Sequence, residues 1–99
     1  MSVSSGPFTT DCRRCKRLHA FLQASKGKYP DYYCKPVPSF GPDDARLLIV
    51  GLAPGLHGAN ATGRPFTSDY AGVLLYETLH QHGFASRRES GASNDGLEL

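Results

Sequence analysis

The stretch of residues 51–69, GLAPGLHGANATGRPFTSD, is the part of this sequence best suited to binding a ligand. It lies between the apolar run LLIV and a segment with a helical pattern. In open α/β sheets the loop at the carboxyl end of a strand binds ligands, because backbone N–H groups and the next helix face the crevice there. Its glycines allow close approach of the backbone to a ligand, and its prolines stiffen the loop.

Cys12 and Cys15 form a Cys-x-x-Cys pair near the N-terminus. The sequence has three cysteines in all, too few and too oddly numbered for a disulfide framework, so the pair indicates reduced thiols. A full metal site needs four ligands, and the chain offers three cysteines. We therefore interpret the pair as half of a metal site.

The first element that must position these residues is a helix that contains the cysteine pair. From Thr10 onward, with Thr9 or Thr10 as the cap and Gly27 as the stop, apolar residues recur at helical spacing. They are Cys15, Leu18, Phe21 and Leu22. Residues 27–44 follow, rich in proline and aromatic residues, and we expect an extended but ordered loop there.

Two further elements flank the glycine-rich stretch. Residues 46–52 form an unbroken aliphatic run typical of a central strand buried on both faces. Beyond Asp69, helical spacing predicts a second helix with a left-handed cap at Gly83 and Phe84. The apolar positions of this helix are Ala71, Leu74, Leu75, Thr78 and Leu79.

Length and composition indicate a single small domain. The chain has 99 residues, 39% of them hydrophobic, and a net charge of +2. No apolar run approaches the roughly 20 residues that span a bilayer, and the N-terminus lacks a signal-peptide pattern, so we expect a cytoplasmic protein. Residues 1–8 are expected to be disordered. One strand leaves an α/β core incomplete, so we interpret residues 9–99 as the N-terminal part of one domain, truncated at Leu99.

Several motifs in a fixed order resemble the family-5 (type b) branch of the uracil-DNA glycosylase superfamily. They are PVPSFG at 36–41, ARLLIVGLAPG at 45–55, HGAN at 57–60, TGRPFTSD at 62–69 and YAG at 70–72. The resemblance implies a three-layer α/β/α fold with a parallel four-stranded sheet, of which this chain holds the first helix, first strand and following helix. It also implies a DNA-repair enzyme that flips uracil, or another deaminated base, out of DNA and hydrolyses its N-glycosidic bond. The fragment itself is expected to be inactive.

The resemblance also implies roles for particular residues. Asp69 would be the carboxylate that orients water and favours a positively charged sugar, and Asn60 a polar partner for water or DNA. Phe66 would stack on the flipped base. The floor of the base pocket would be the backbone of Gly51, Leu52, Ala53, Pro54 and Gly55. Two residues depart from the family pattern, which commonly has arginine in place of Ala61 and glycine in place of Ser68.

The cofactor implied by the resemblance is a [4Fe-4S] cluster bound by four cysteine thiolates. Cys12 and Cys15 match the first two ligands, and the other two would lie beyond Leu99. Cys34 has no counterpart and is interpreted as a structural residue of the proline-rich loop. The implied partner is DNA that contains uracil or deaminated bases, and we expect a monomer that does not bind membranes.

Other interpretations of the same residues remain open. Asp69 could simply cap the second helix, and Phe66 could be a core residue. The chain could be a non-catalytic nucleic-acid-binding module that keeps the cysteines, or an enzyme that binds a nucleotide or phosphorylated metabolite. A basic group near the N-terminus could contact a DNA backbone or form a solvated face. It comprises Arg13, Arg14, Lys16, Arg17, Lys26, Lys28 and Lys35.

Overall fold

The computed structural model describes residues 9–99, which form three helices joined by long irregular segments. Helix α1 spans Lys16–Lys28, α2 spans Ala59–Thr62 and α3 spans Tyr70–Gln81. The predicted disorder of residues 1–8 lies outside the described residues. Over residues 9–99, no helix is both long enough and apolar enough to cross a membrane.

Helix α1 has different ends from those that the sequence predicts. Its N-cap is Cys15, without a side-chain capping bond, so the predicted cap at Thr9 or Thr10 is wrong. The chain instead turns before the helix, where the Cys12 N–H donates to the Thr9 carbonyl at 3.2 Å. Gly27 lies inside α1. The helix ends at Lys28 because Tyr29 precedes a proline, which disfavours the helical conformation of the residue before it.

The predicted central strand over residues 46–52 is absent: the described part of the chain contains no strand. This segment is also not buried, since Leu48 is 83% exposed and Val50 80% exposed. A strand exists only through hydrogen bonds to a neighbouring strand, and no segment among residues 9–99 provides one. Residues 46–52 therefore have the aliphatic pattern of a strand but no neighbouring strand to pair with among residues 9–99.

Helix α3 confirms the second predicted helix and its C-terminal cap. Gly83 has a φ of 82°. The Phe84 N–H donates to the Leu79 carbonyl at 2.8 Å, and the Gly83 N–H donates to that of His80 at 3.1 Å. These are the two hydrogen bonds of a Schellman motif.

The core lies between α3 and the segment that follows it. Its buried members are Tyr76, Leu79, Ala85 and Leu97, and Phe40, Phe66 and Leu75 pack against them. Of the apolar positions predicted for this helix, Leu79 is buried, whereas Leu74 is 70% exposed. Tyr76 donates its hydroxyl to the Pro65 carbonyl at 2.9 Å, and burial raises the pKa of that hydroxyl. Helix α3 is thus anchored to the end of the glycine-rich stretch.

The proline-rich loop is ordered, as the sequence predicts. The Tyr33 N–H donates to the Ala61 carbonyl at 3.1 Å, and the Cys34 N–H donates to that of Asn60 at 2.9 Å. The Tyr33 hydroxyl donates to the Pro36 carbonyl at 2.9 Å. The loop therefore packs against α2 within the glycine-rich stretch.

Candidate functional site

Asp69 is the N-cap of α3, and its Oδ1 accepts a hydrogen bond from the Gly72 N–H at 2.8 Å. The capping interpretation is therefore confirmed. The other carboxylate oxygen, Oδ2, faces the glycine-rich stretch: a Cβ atom placed on Gly58 would lie 2.8 Å from it, and one placed on Gly55 would lie 3.7 Å away. Within residues 9–99 this oxygen makes no hydrogen bond. One carboxylate can thus cap the helix and still present an oxygen to a ligand.

The glycine-rich stretch folds tightly upon itself next to Asp69. The Gly55 carbonyl accepts from the N–H groups of Gly58 at 3.2 Å and Asn60 at 3.0 Å. The Gly58 carbonyl in turn accepts from Ala61 and Thr62 within the short helix α2. These bonds hold the stretch in the bend that brings Gly58 against the carboxylate.

Phe66 packs against the core cluster and also contacts the start of the glycine-rich stretch. A Cβ atom placed on Gly51 would lie 2.8 Å from the Cζ atom of the Phe66 ring. Phe66 is half-buried and has a φ of 52°, a conformation that only glycine adopts without strain. The core interpretation of Phe66 is therefore confirmed, and stacking on a base stays a prediction.

The predicted pocket floor is open to solvent on the chain described here. Leu52 is fully exposed, and Ala53 and Pro54 are exposed too. A cavity of about 600 Å³ is lined by Ser68 and Asp69 together with the first turns of α3 and residues 88–91, and none of residues 51–55 lines it. The structure thus places Gly51 beside Phe66 and Gly58 beside Asp69. It does not form an enclosed pocket that has residues 51–55 as its floor.

Asn60 lies inside the fold, 5% exposed. Its Nδ2 donates to the Leu56 carbonyl at 3.2 Å and to the Cys34 thiol at 3.6 Å. The side chain therefore links the glycine-rich stretch to the proline-rich loop, and a direct role toward water or DNA stays a prediction. Cys34 is a buried free cysteine in that link, which agrees with a structural role.

Cys12 and Cys15 are free thiols at the start of α1, the first partly buried and the second exposed. Across residues 9–99 no group of three or more His, Cys, Asp or Glu side chains could hold a metal ion. Neither thiol is part of a disulfide, and the chemistry of the pair fits two ligands of a larger thiolate site.

Sequence reasoning missed a buried polar network at the end of the glycine-rich stretch. Arg64 is 5% exposed, and its guanidinium donates to both carboxylate oxygens of Asp95, each at 3.1 Å. Hydrogen bonds from Arg64 outweigh burial and hold the pKa of Asp95 well below its usual range. No sequence pattern could reveal this pair, because 31 positions separate its two members.

Sequence reasoning also missed an aromatic cluster that holds the middle of the glycine-rich stretch. The Tyr29 and Tyr32 rings stack with centroids 4.6 Å apart, and the His57 ring packs nearly perpendicular to both. The Tyr32 Oη and His57 Nδ1 atoms lie 2.8 Å apart. The C-terminal end of α1 is thereby joined to residues 55–58.

Comparisons with known proteins identify the family. The model of the Uracil DNA glycosylase superfamily matches residues 38–95. Type-5 uracil-DNA glycosylase of Thermus thermophilus is 46% identical over an alignment of 91 residues that covers 87% of this chain and 42% of that protein. Proteins of the same name are 43% identical over 93 residues in Mycobacterium leprae and 38% identical over 93 residues in Pyrobaculum aerophilum. These alignments cover 88% and 90% of this chain, and 41% of each relative.

The chain thus spans about two fifths of the length of these relatives. The matched region contains the whole glycine-rich stretch with Asp69, the pair of Arg64 and Asp95, and helix α3. On these matches the chain belongs to the uracil DNA glycosylase superfamily, whose fold is α/β.

Proposed function

We propose that the protein carrying this chain is a uracil-DNA glycosylase that acts as a monomer on DNA containing uracil or other deaminated bases. The names of its relatives support this, but the observation that carries it is structural: the glycine-rich stretch lies against the predicted carboxylate and the predicted stacking residue. In the proposed whole protein, residues 46–52 form the first strand of a parallel four-stranded sheet between helical layers. The helical layers on its two faces would cover the aliphatic side chains that are exposed here.

The proposed reaction needs a negative charge beneath the sugar. Water adds to C1′ of the sugar as the C1′–N bond breaks, and the base leaves as an anion with the electron pair of that bond. The added water loses a proton, which neutralises the base and leaves a hydroxyl group on C1′. Positive charge develops on the sugar meanwhile, and one well-placed electrostatic group is worth about 3 to 4 kcal/mol in such a step. The Gly72 N–H fixes the Asp69 carboxylate through Oδ1, so that Oδ2 can face the sugar or the attacking water.

The proposed reaction also needs the target base outside the helix. Extrusion of a base costs a few kcal/mol of unstacking, and an aromatic side chain recovers about 1 to 3 kcal/mol by stacking. Phe66 would supply this ring, and its packing against the core would hold the ring in place before the base arrives. The absence of a side chain on Gly51 leaves room for the ring.

We also propose that Cys12 and Cys15 are two of four thiolate ligands of a [4Fe-4S] cluster. The cluster would join the segment before α1 to ligands outside this chain. Replacement of both residues by serine should abolish iron and sulfide in the purified full-length protein. Cys34→Ser is the matched control, since Cys34 is buried beside Asn60, and its iron content should not change. If the wild type, the double serine variant and Cys34→Ser all contained the same amount of iron, this ligand assignment would be ruled out.

The test of the proposed reaction separates the charge of Asp69 from its capping role. Asparagine caps helices about as well as aspartate, so Asp69→Asn in the full-length protein should keep its melting temperature and DNA affinity. Release of uracil from a uracil-containing oligonucleotide should fall by about 10²- to 10³-fold. Asp43→Asn, at an exposed position, is the control and should keep the wild-type rate. An undiminished rate in Asp69→Asn contradicts the role of Asp69, and DNA binding without base release in the wild type would favour a binding module instead.

A further inference from the structure

The Arg64 network, made of Arg64, Thr67, Ser90 and Asp95, joins two segments that are distant in sequence. Besides its two bonds to Asp95, Arg64 donates from Nε to the Thr67 hydroxyl at 2.9 Å and from Nη2 to the Ser90 hydroxyl at 2.7 Å. The Thr67 and Ser90 hydroxyl oxygens lie 2.7 Å apart. The guanidinium also lies over the Phe40 ring, 4.8 Å from its centroid. Burial of a charge is costly unless it is paired and hydrogen-bonded, and these partners meet that need for the guanidinium.

The segment held by this network has a strained backbone. Phe66 and Ser68 both have positive φ, 52° and 63°, on either side of Thr67, which is fully buried. Non-glycine residues stay in this conformation only where surrounding contacts dictate it. The network supplies such contacts through the Thr67 side chain, and the Ser68 N–H adds a bond of 3.0 Å to the Ser90 carbonyl.

The strained segment ends at the proposed reaction centre. Asp69 follows Ser68 directly and meets Gly58, while Phe66 meets Gly51. A relaxation of the backbone over residues 66–68 would therefore move the carboxylate and the ring relative to the glycine-rich stretch. Movement of about 1 Å at a reacting group can cost about a hundredfold in rate.

We infer that Arg64 is a positioning residue for the proposed glycosylase reaction: through Thr67, Ser90 and Asp95 it holds Phe66 and Asp69 in their places. This inference rests on the proposed function. Arg64 itself would not touch the sugar or the base, since it is almost fully buried among its partners. Lysine cannot replace its planar fork of donors, although it keeps the charge.

The test is Arg64→Lys in the full-length protein, below the melting temperature of the variant. Arg46→Lys, at an exposed arginine, is the matched control. We expect the single-turnover rate of uracil release to fall by about tenfold or more in Arg64→Lys, with affinity for uracil-containing DNA within about twofold of wild type. Hydrogen exchange of the Ser68 and Gly72 amides should be at least about tenfold faster, while amides in the middle of α1 stay unchanged.

A purely structural role would lower the melting temperature but leave the rate of the folded protein unchanged, and that outcome overturns the inference. If Arg64→Lys does not fold, the second variant is Ser90→Ala, which removes one acceptor of Arg64 and keeps its pair with Asp95. A rate of uracil release several-fold below wild type in this variant supports the inference, and a rate equal to wild type overturns it. If the wild type releases no uracil, the proposed function fails. Hydrogen exchange then tests by itself whether Arg64 positions this segment. Faster exchange at Ser68 and Gly72 then supports the positioning of this segment, and unchanged exchange overturns it.

Discussion

Gly58 lies against Asp69 so closely that a Cβ atom there would stand 2.8 Å from both the Cβ and the Oδ2 atoms of the aspartate. The same aspartate caps α3 through Oδ1. The carboxylate is thus held from two sides, by a backbone N–H of the helix and by a glycine without a side chain. This arrangement makes the position of Asp69 sensitive to changes on either side.

Gly58→Ala should displace the Asp69 carboxylate, because a contact of 2.8 Å forces an atom to move. We expect uracil release by the full-length protein to fall by about 10- to 100-fold, since the reacting group would shift by a fraction of an ångström or more. Single-turnover kinetics on a uracil-containing oligonucleotide measure this.

The control for this variant is Gly27→Ala. Gly27 lies in α1 with nothing within 4 Å of an added Cβ atom. Alanine is favoured over glycine in a helix by about 0.5 to 1 kcal/mol, so this variant should be slightly more stable and equally active. A wild-type rate in Gly58→Ala would show that the contact with Asp69 has no bearing on the reaction.

Ser68→Gly should stabilise the protein. Ser68 has a φ of 63°, and the relief of this strain outweighs the added entropy of the unfolded chain, for a net gain of about 0.5 to 1 kcal/mol. Thermal unfolding of the full-length protein measures the change. Ser93→Gly, at an exposed position without positive φ, should give no gain. An equal rise in melting temperature for both variants would contradict the role of strain.

Asp95 should make stability depend on acid pH. Its pKa is lowered in the folded state by hydrogen bonds from Arg64, so its contribution is complete above the ordinary value of 3.8 and is lost as the pH falls below that value. Asp95→Asn should therefore be much less stable than wild type at about pH 6, and the gap should narrow toward about pH 3. Urea unfolding at each pH tests this, with Asp43→Asn as the exposed control. A gap that stays constant with pH would contradict the charge pairing.

Tyr32→Phe should loosen the glycine-rich stretch without disturbing the ring stack. It removes the contact between Tyr32 Oη and His57 Nδ1, and such a hydrogen bond is worth about 0.5 to 1.5 kcal/mol, at the low end for an exposed pair. We expect a small fall in melting temperature and a changed ¹⁵N shift of His57 Nδ1. Tyr70→Phe, at a side chain that is 94% exposed, should change neither. An unaltered His57 shift in Tyr32→Phe would show that the two atoms are not bonded in solution.

Two features of α3, one of them in the candidate site, could be predicted because their causes are local. The capping role of Asp69 depends on a hydrogen bond that spans three residues, and the left-handed turn at Gly83 depends on bonds within one turn of α3. Other features depend on distant contacts. The start of α1 at Cys15 differs from the prediction, because the preceding residues form a turn that no periodic pattern announces.

By itself, then, the sequence determined the second long helix with both its caps and the order of motifs that identifies the superfamily. These follow from short-range hydrogen bonding and from residue identity. Only the tertiary structure decided that Arg64 pairs with Asp95, that Gly58 borders Asp69 and that residues 46–52 form no strand here. Each of these depends on which distant segment lies alongside, because buried charges need partners and strands need neighbours.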